Sequence, residues 1–157
     1  MPKFNVTRRL PYTPDQVYAI ASDVASYRAF LPLVRSSTVR SRKTLPDGRE
    51  SFDAEMTVAY KKLGIEETTH SRVVCDPVKR EVIAHATDGP VKKLETHWQV
   101  RELPDGTSEI DFSVDYALKS RSMQFLLSGM FDLVVRKIMT AFEDRARKLY
   151  GSEATTS

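Results

Sequence analysis

Residues 122–150, SMQFLLSGMFDLVVRKIMTAFEDRARKLY, constrain what the rest of the chain can fold into. They contain no proline and one glycine, Gly129. At about 100° per residue, Leu127, Met130, Phe131, Val134, Val135, Ile138, Phe142 and Leu149 share one side of a helix. Asp132, Arg136, Thr140, Glu143 and Arg147 share the other. Ser120 or Ser122 suits the N-cap, and Gly151 follows the last periodic residue, as a C′ position prefers. At ~1.5 Å per residue such a helix is about 42 Å long. Its apolar face needs an equally extended partner. No other stretch reads as a long helix, so the partner is the β-patterned segment before it.

That segment begins at Lys3–Leu10, where Phe4, Val6 and Leu10 alternate onto one face of a strand. Thr13 is an N-cap, Pro14 the first helical residue and Gln16 the partner in a capping box. Val17, Ala21 and Val24 give this first helix its apolar side. A short turn through Tyr27 ends before Pro32. From Val34 the period becomes two: Phe52, Ala54, Met56, Val58 and Tyr60 form one face, Leu94, Thr96, Trp98 and Val100 another, and Ile110, Phe112, Val114, Tyr116 and Leu118 a third. Residues 65–75 and 80–86 are β-like. Turns separate the strands at Leu45-Pro46-Asp47-Gly48, Asp76-Pro77, Asp88-Gly89-Pro90 and Leu103-Pro104-Asp105-Gly106. The chain therefore predicts an α+β fold: a strand, two short helices, six strands in an antiparallel meander, and the long helix held in the curved seven-stranded sheet. Residues 1–151 form one domain in this reading, and 152–157 a polar tail.

Net charge is +3 over 157 residues, a basic bias compatible with an anionic partner. The lone Cys75 excludes an internal disulfide and favours a reducing compartment. No apolar run approaches the ~20 residues of a membrane span, and MPKFNVTRRL reads as neither a signal nor a transit peptide. The expectation is a cytoplasmic protein.

Several stretches resemble the coenzyme Q-binding START-domain family, within the polyketide cyclase/Bet v 1-like superfamily of helix-grip folds that also holds the bacterial ribosome-association toxins. They are Asp23, Tyr27 and Phe30-Leu31-Pro32; Ser71-Arg72-Val73; Asp88-Gly89-Pro90 followed by Leu94 and Trp98; and residues 141–146, AFEDRA. Their order spans residues 3 to 150. Val91 departs from the pattern, standing where the family has phenylalanine and trimming the expected cavity rim. The resemblance implies a protein that binds ubiquinone or a related isoprenoid lipid in support of respiration, without chemistry on the ring and with no cofactor beyond that ligand. It also implies two alternatives: a ribosome-binding protein that blocks subunit association, and a cyclase or aromatase-like enzyme.

No phosphate loop, Cys-x-x-Cys, His-Glu-x-x-His or Gly-x-Ser-x-Gly motif is present. His70, His85 and His97 lie on separate strands without metal-ligand spacing, and solvated or singly hydrogen-bonded roles suit them. Glu66 and Glu67 face opposite ways on a strand, which spoils them as an acid/base pair. Cys75 reads as a small strand-end core residue. Arg145 falls between Val134 and Ile138 on the helical wheel and needs either a structural ion pair or a ligand head group.

If the grip is hollow, its lining is Phe30, Leu31, Phe52, Met56, Tyr60, Trp98, Phe112, Val114, Leu127, Phe131, Val134 and Ile138; periodicity alone fits a filled grip equally well. Alternate meander connections share an end of the sheet. One end therefore collects Lys61, Lys62, Gly89, Pro90, Lys92, Lys93, Lys119 and Arg121, with Pro32 nearby between Arg28 and Arg35. These cations around apolar residues predict a cavity mouth on an anionic inner-membrane surface. Nothing resembles a base-stacking platform, so no DNA partner and no sequence-specific RNA readout are expected.

Overall fold

The computed structural model describes residues 3–60 and 64–151. The elements are β1 (Lys3–Leu10), α1 (Pro14–Ser22), a 3₁₀ helix (Val24–Ala29), β2 (Val34–Thr44), β3 (Glu50–Tyr60), β4 (Ile65–Asp76), β5 (Glu81–Ala86), β6 (Val91–Glu102), β7 (Ser108–Leu118) and α2 (Arg121–Tyr150). All seven strands form one antiparallel sheet in the order β1-β7-β6-β5-β4-β3-β2, so the meander closes only by β1 pairing with β7. The curved sheet, long C-terminal helix and two short helices are the helix-grip architecture expected from the sequence. Lys61 and Lys62, and the tail 152–157, lie outside the described residues.

Local signals act as their chemistry dictates. The Thr13 hydroxyl accepts from the Gln16 amide while the Gln16 side chain accepts from the Thr13 amide, a complete capping box. Ser120, rather than Ser122, caps α2, accepting from the Met123 amide at 3.2 Å. At the far end Gly151 ends the helix with φ 74, and Tyr12 donates to its carbonyl at 2.8 Å. Tyr150 donates to the Gln16 carbonyl at 3.2 Å, a second tie at this end, while near the other end the Gln124 side chain accepts from the Leu118 amide at 2.7 Å.

Two aromatic groups seat the helix. Phe131 stacks between Phe4 (4.5 Å between centroids) and Tyr116 (4.7 Å). Eleven residues on, Phe142 stacks on Trp98 at 5.1 Å, and Trp98 on Phe112 at 4.1 Å. The fully buried side of α2 is Val135, Met139, Phe142 and Ala146. Met139 and Ala146 were absent from the expected apolar arc, and Leu149, assigned to it, is exposed. Glu143, expected on the solvent side, is half-buried because Arg8 of β1 reaches it at 2.6 Å. Tethered in this way, α2 packs on β1, β7 and α1.

β5 has six residues between twelve-residue neighbours, so the sheet has a notch beyond Ala86. Asp88-Gly89-Pro90 fills it. Asp88 accepts from the His70 amide, and Pro90 accepts from the Lys119 amide at 3.0 Å. Gly89 has φ +69, and an added Cβ would lie 2.7 Å from the Thr68 carbonyl oxygen. Gly48 has φ +93 with open space around it. Left-handed backbone costs an L side chain ~1–2 kcal/mol, a penalty both positions share. Urea unfolding should therefore show Gly89→Ala destabilising by at least about 1 kcal/mol more than Gly48→Ala, and equal losses would mean the loop simply shifts away.

Candidate functional site

Because α2 leans on the β1–β7 half of the sheet, its other flank faces the ends of β2 and β3 across a gap. The result is a cleft of about 710 Å³. Pro32, Leu33, Val34, Arg35, Ala59 and Tyr60 line one wall, and Met130, Leu133, Val134 and Lys137 of α2 the other. A shallower recess of about 350 Å³ adjoins it beyond Pro32 and Lys137, bounded by Phe30, Arg136, Thr140, Ala141 and Asp144. Inward-facing Met56, Ser71, Ala84, Leu94 and Thr96 remain only half-buried, so the concave face is incompletely covered on this side. Leu33, at the lip, holds φ 71, a conformation rare for a leucine, with its carbonyl accepting from the Ala59 amide at 2.8 Å.

The structure divides the expected cavity lining. Tyr60 and Val134 line the cleft, and Phe30 lines the recess. Leu31, Met56, Leu127 and Ile138 are half-buried against the core without reaching either opening. Phe52, Trp98, Phe112 and Val114 belong to the packed core, at 5% exposure or less. Phe131 stacks against both Phe4 and Tyr116, which also face each other at 6.2 Å. The deep grip is thus filled by stacked rings, and the open volume lies beside α2 rather than beneath it. Val91, placed at the rim in the sequence reading, is buried at a β-bulge opposite Leu118. Leu133 and Lys137 were missed; with Leu126 and Met130 they form a second stripe at i, i+4, i+7 and i+11, visible in the sequence beside the first.

The meander polarity holds: the β3 and β4 ends at Tyr60 and Ile65, the Asp88-Gly89-Pro90 loop, Lys119 and the start of α2 share one end of the sheet, where Tyr60 borders the cleft. The cations there are not equivalent. Arg35 is tied to Glu66 at 2.7 Å and Lys93 to Asp115 at 2.9 Å. That contact pushes the Lys93 ammonium up and holds the Asp115 carboxyl below its ordinary value. Arg28, Lys92, Lys119 and Arg121 are exposed and have no carboxylate partner among the described residues. Glu66 faces outward to Arg35, whereas Glu67, opposite Val58, shares the concave side. Of the two roles read for Arg145, the ion pair is not formed among the described residues; its guanidinium lies over the Phe30 ring at 5.3 Å.

Titratable groups in the interior are held neutral. Burial pushes the Cys75 thiol up to about 11 and the Tyr27 phenol well above its ordinary value, and Tyr27 donates to the Ala21 carbonyl. Among the described residues no three His, Cys, Asp or Glu side chains are grouped to hold a metal ion. His97 pairs outward with Glu81 at 2.8 Å. His70 is not singly bonded: Nε2 meets Glu55 at 2.8 Å and Nδ1 meets Asp88 at 2.9 Å, clamping β3, β4 and the Asp88 loop together.

Hydrogen bonds donated by the ring to Glu55 and then to Asp88 raise the His70 pKa, and the His70 amide and ring lower that of Asp88. The raised imidazolium contributes stability that is complete below its unfolded pKa of ~6.5 and is lost as pH rises through the higher folded value. The lowered carboxyl contributes stability that is complete above its unfolded pKa of ~3.9 and is lost as pH falls through the lower folded value. The clamp is therefore tightest between about pH 4 and 6.5. An NMR titration should place the His70 midpoint above that of a histidine in a short peptide, and Asp88→Asn should bring it down. A midpoint indifferent to Asp88→Asn would show that the clamp does not form in solution.

A family model described as polyketide cyclase / dehydrase and lipid transport matches residues 10–143. The mitochondrial coenzyme Q-binding protein coq10 of Schizosaccharomyces pombe is 30% identical over 145 residues, covering 92% of this chain and 86% of that protein. The ribosome association toxin RatA of Escherichia coli is 27% identical over 154 residues, covering 97% of this chain and 91% of the toxin. Among solved structures, an 18 kDa protein of Caulobacter crescentus is 29% identical with a TM-score of 0.79, covering 97% of this chain and 100% of that one. The Zhui aromatase/cyclase of Streptomyces sp. R1128 has a TM-score of 0.79 at 15% identity, covering 96% and 97%, a likeness of fold alone.

Proposed function

The chain belongs to the polyketide cyclase / dehydrase and lipid transport family, and from that premise we propose that it is a non-catalytic binding protein for an isoprenoid quinone or a closely related lipid. The observation that carries this reading is the open cleft of about 710 Å³ beside α2, walled by Leu33, Tyr60, Met130, Leu133 and Val134. Its volume lies within the ~300–1,000 Å³ of small-ligand sites. A coenzyme Q-binding protein stands among the chain's relatives over nearly its whole length. The energetics suit an isoprenoid tail. Each buried methylene is worth ~0.8 kcal/mol and micromolar affinity needs about 8 kcal/mol, so on the order of ten methylene equivalents suffice before ordering costs. Cys75 and Tyr27 are buried in the core and are not among the cleft's lining residues.

Native mass spectrometry after gentle extraction should find quinone bound to the protein. Leu133 is half-exposed and cleft-lining, so Leu133→Glu should reduce the bound fraction at least tenfold with little change in Tm. Lipid-free protein under these conditions, or undiminished binding by Leu133→Glu, would sink the reading.

A second reading is supported by the similarity to RatA: association with the ribosome through the unpaired cations. Phosphate contacts of this kind weaken steeply with salt. Added protein would then shift the subunit profile in sucrose-gradient sedimentation at low salt, and an unchanged profile removes this alternative.

A further inference from the structure

We propose that the first turns of α2, with the lip of the cleft, form a wedge that inserts into an anionic lipid bilayer. Eight large apolar side chains are exposed among the described residues, and five of them, Leu33, Val58, Phe125, Leu126 and Leu133, border the cleft or lie at the end where it opens. Single exposed apolar residues are ordinary on any surface; five of eight along the cleft and at the end where α2 begins are a concentration that is not. Phe125 is the extreme case at 84% exposure, an aromatic ring in the second turn of a helix with nothing packed on it.

The charge around this cluster selects the partner. Lys119 and Arg121 precede Phe125 by two turns or fewer, Arg121 at i−4 on the same face, and Lys92 lies on the neighbouring strand end. None of the three has a carboxylate partner among the described residues. Nearby acids are already engaged, Glu66 by Arg35, Asp115 by Lys93 and Asp132 by Arg136, leaving Glu67 as the acid without a described partner. At the opposite end of the sheet Arg49 and Arg80 are neutralised by Asp47 and Asp15; Lys43 and Lys79 there have no carboxylate partner among the described residues, but Val78 is the one large apolar side chain exposed beside them. Apolar side chains flanked by unneutralised cations fit an anionic interface, where rings sit at head-group depth and each cation adds to binding. A ribosomal RNA face would use the same cations but gains nothing from Leu33, Leu126 and Leu133.

The test uses the full chain and vesicles of phosphatidylcholine with or without phosphatidylglycerol, both free of quinone, so its outcome is separate from that of ligand binding. Co-sedimentation should be confined to the anionic vesicles and should fall about tenfold or more with Phe125→Ser plus Leu126→Ser. Lys119→Glu plus Arg121→Glu should cause a loss of similar size that added salt reproduces in the unaltered protein. Ile83→Ser plus Leu149→Ser, on other surfaces, should change nothing. The sole native tryptophan, Trp98, is buried, so fluorescence of Phe125→Trp should be quenched by bromine-labelled acyl chains only if residue 125 enters the bilayer. Unquenched fluorescence, vesicle binding indifferent to the serine pair, or binding to ribosomal subunits without binding to vesicles would each overturn the proposal.

Discussion

The off-centre seating of α2 is the constraint on which the site depends. Phe131 between Phe4 and Tyr116, and Phe142 against Trp98, fix the helix at two points three turns apart. Stacked aromatic pairs add ~0.5–1.5 kcal/mol beyond their buried area, and both sets lie toward β1, β7 and β6. The Arg8–Glu143 pair adds a tether on the same side. A helix about 45 Å long held against one half of a curved sheet leaves the other half partly uncovered. The cleft is the remainder of that geometry, and it needs no special cavity-forming motif.

The short β5 imposes the second constraint. A twelve-residue β4 beside a six-residue β5 leaves Thr68 and His70 without a strand neighbour on that side. Asp88-Gly89-Pro90 supplies one, meeting His70 through the Asp88 carboxylate and approaching Thr68 so closely that only glycine fits. Pro90 then passes the connection on to Lys119, at the point where β7 gives way to α2. The motif that reads in sequence as a cavity rim is thus a brace between sheet and helix. It fixes where the first turns of α2 emerge beside the opening.

Much of the fold was legible because its signals are local. Period-two alternation, Leu-Pro-Asp-Gly turns and the Thr13–Gln16 box each act over a few residues, and the strands they imply are the strands observed. The polarity of the meander followed from connectivity alone. The interior of the grip was not legible, because alternation reports which face a side chain takes and not what fills the space beyond it. Trp98 and Phe112 face inward as read, yet they are capped by Phe142 of α2, which stacks on Trp98, a long-range complementarity absent from any window of sequence. Leu133 and Lys137 were hidden for a related reason: the helix carries two adjoining stripes, and which one meets the sheet is decided by Phe131 and Phe142.

Arg145 shows how the filled base and the open cleft coexist. A cation within the apolar arc of α2 would ordinarily require a carboxylate, and a buried pair of charges carries a desolvation cost that often cancels its attraction. Here the half-buried guanidinium lies over the Phe30 ring, 5.3 Å from its centroid, so the charge meets an aromatic face instead of a buried carboxylate. Phe30 in turn meets Tyr27 and Phe142 edge-on. The stack of Arg145, Phe30 and Phe142 therefore shields the packed aromatic base from solvent without closing the cleft toward the other end. The packed base supplies the buried area that holds the fold together, and the sparsely covered flank, walled by Leu33, Met130 and Leu133, contributes little to it.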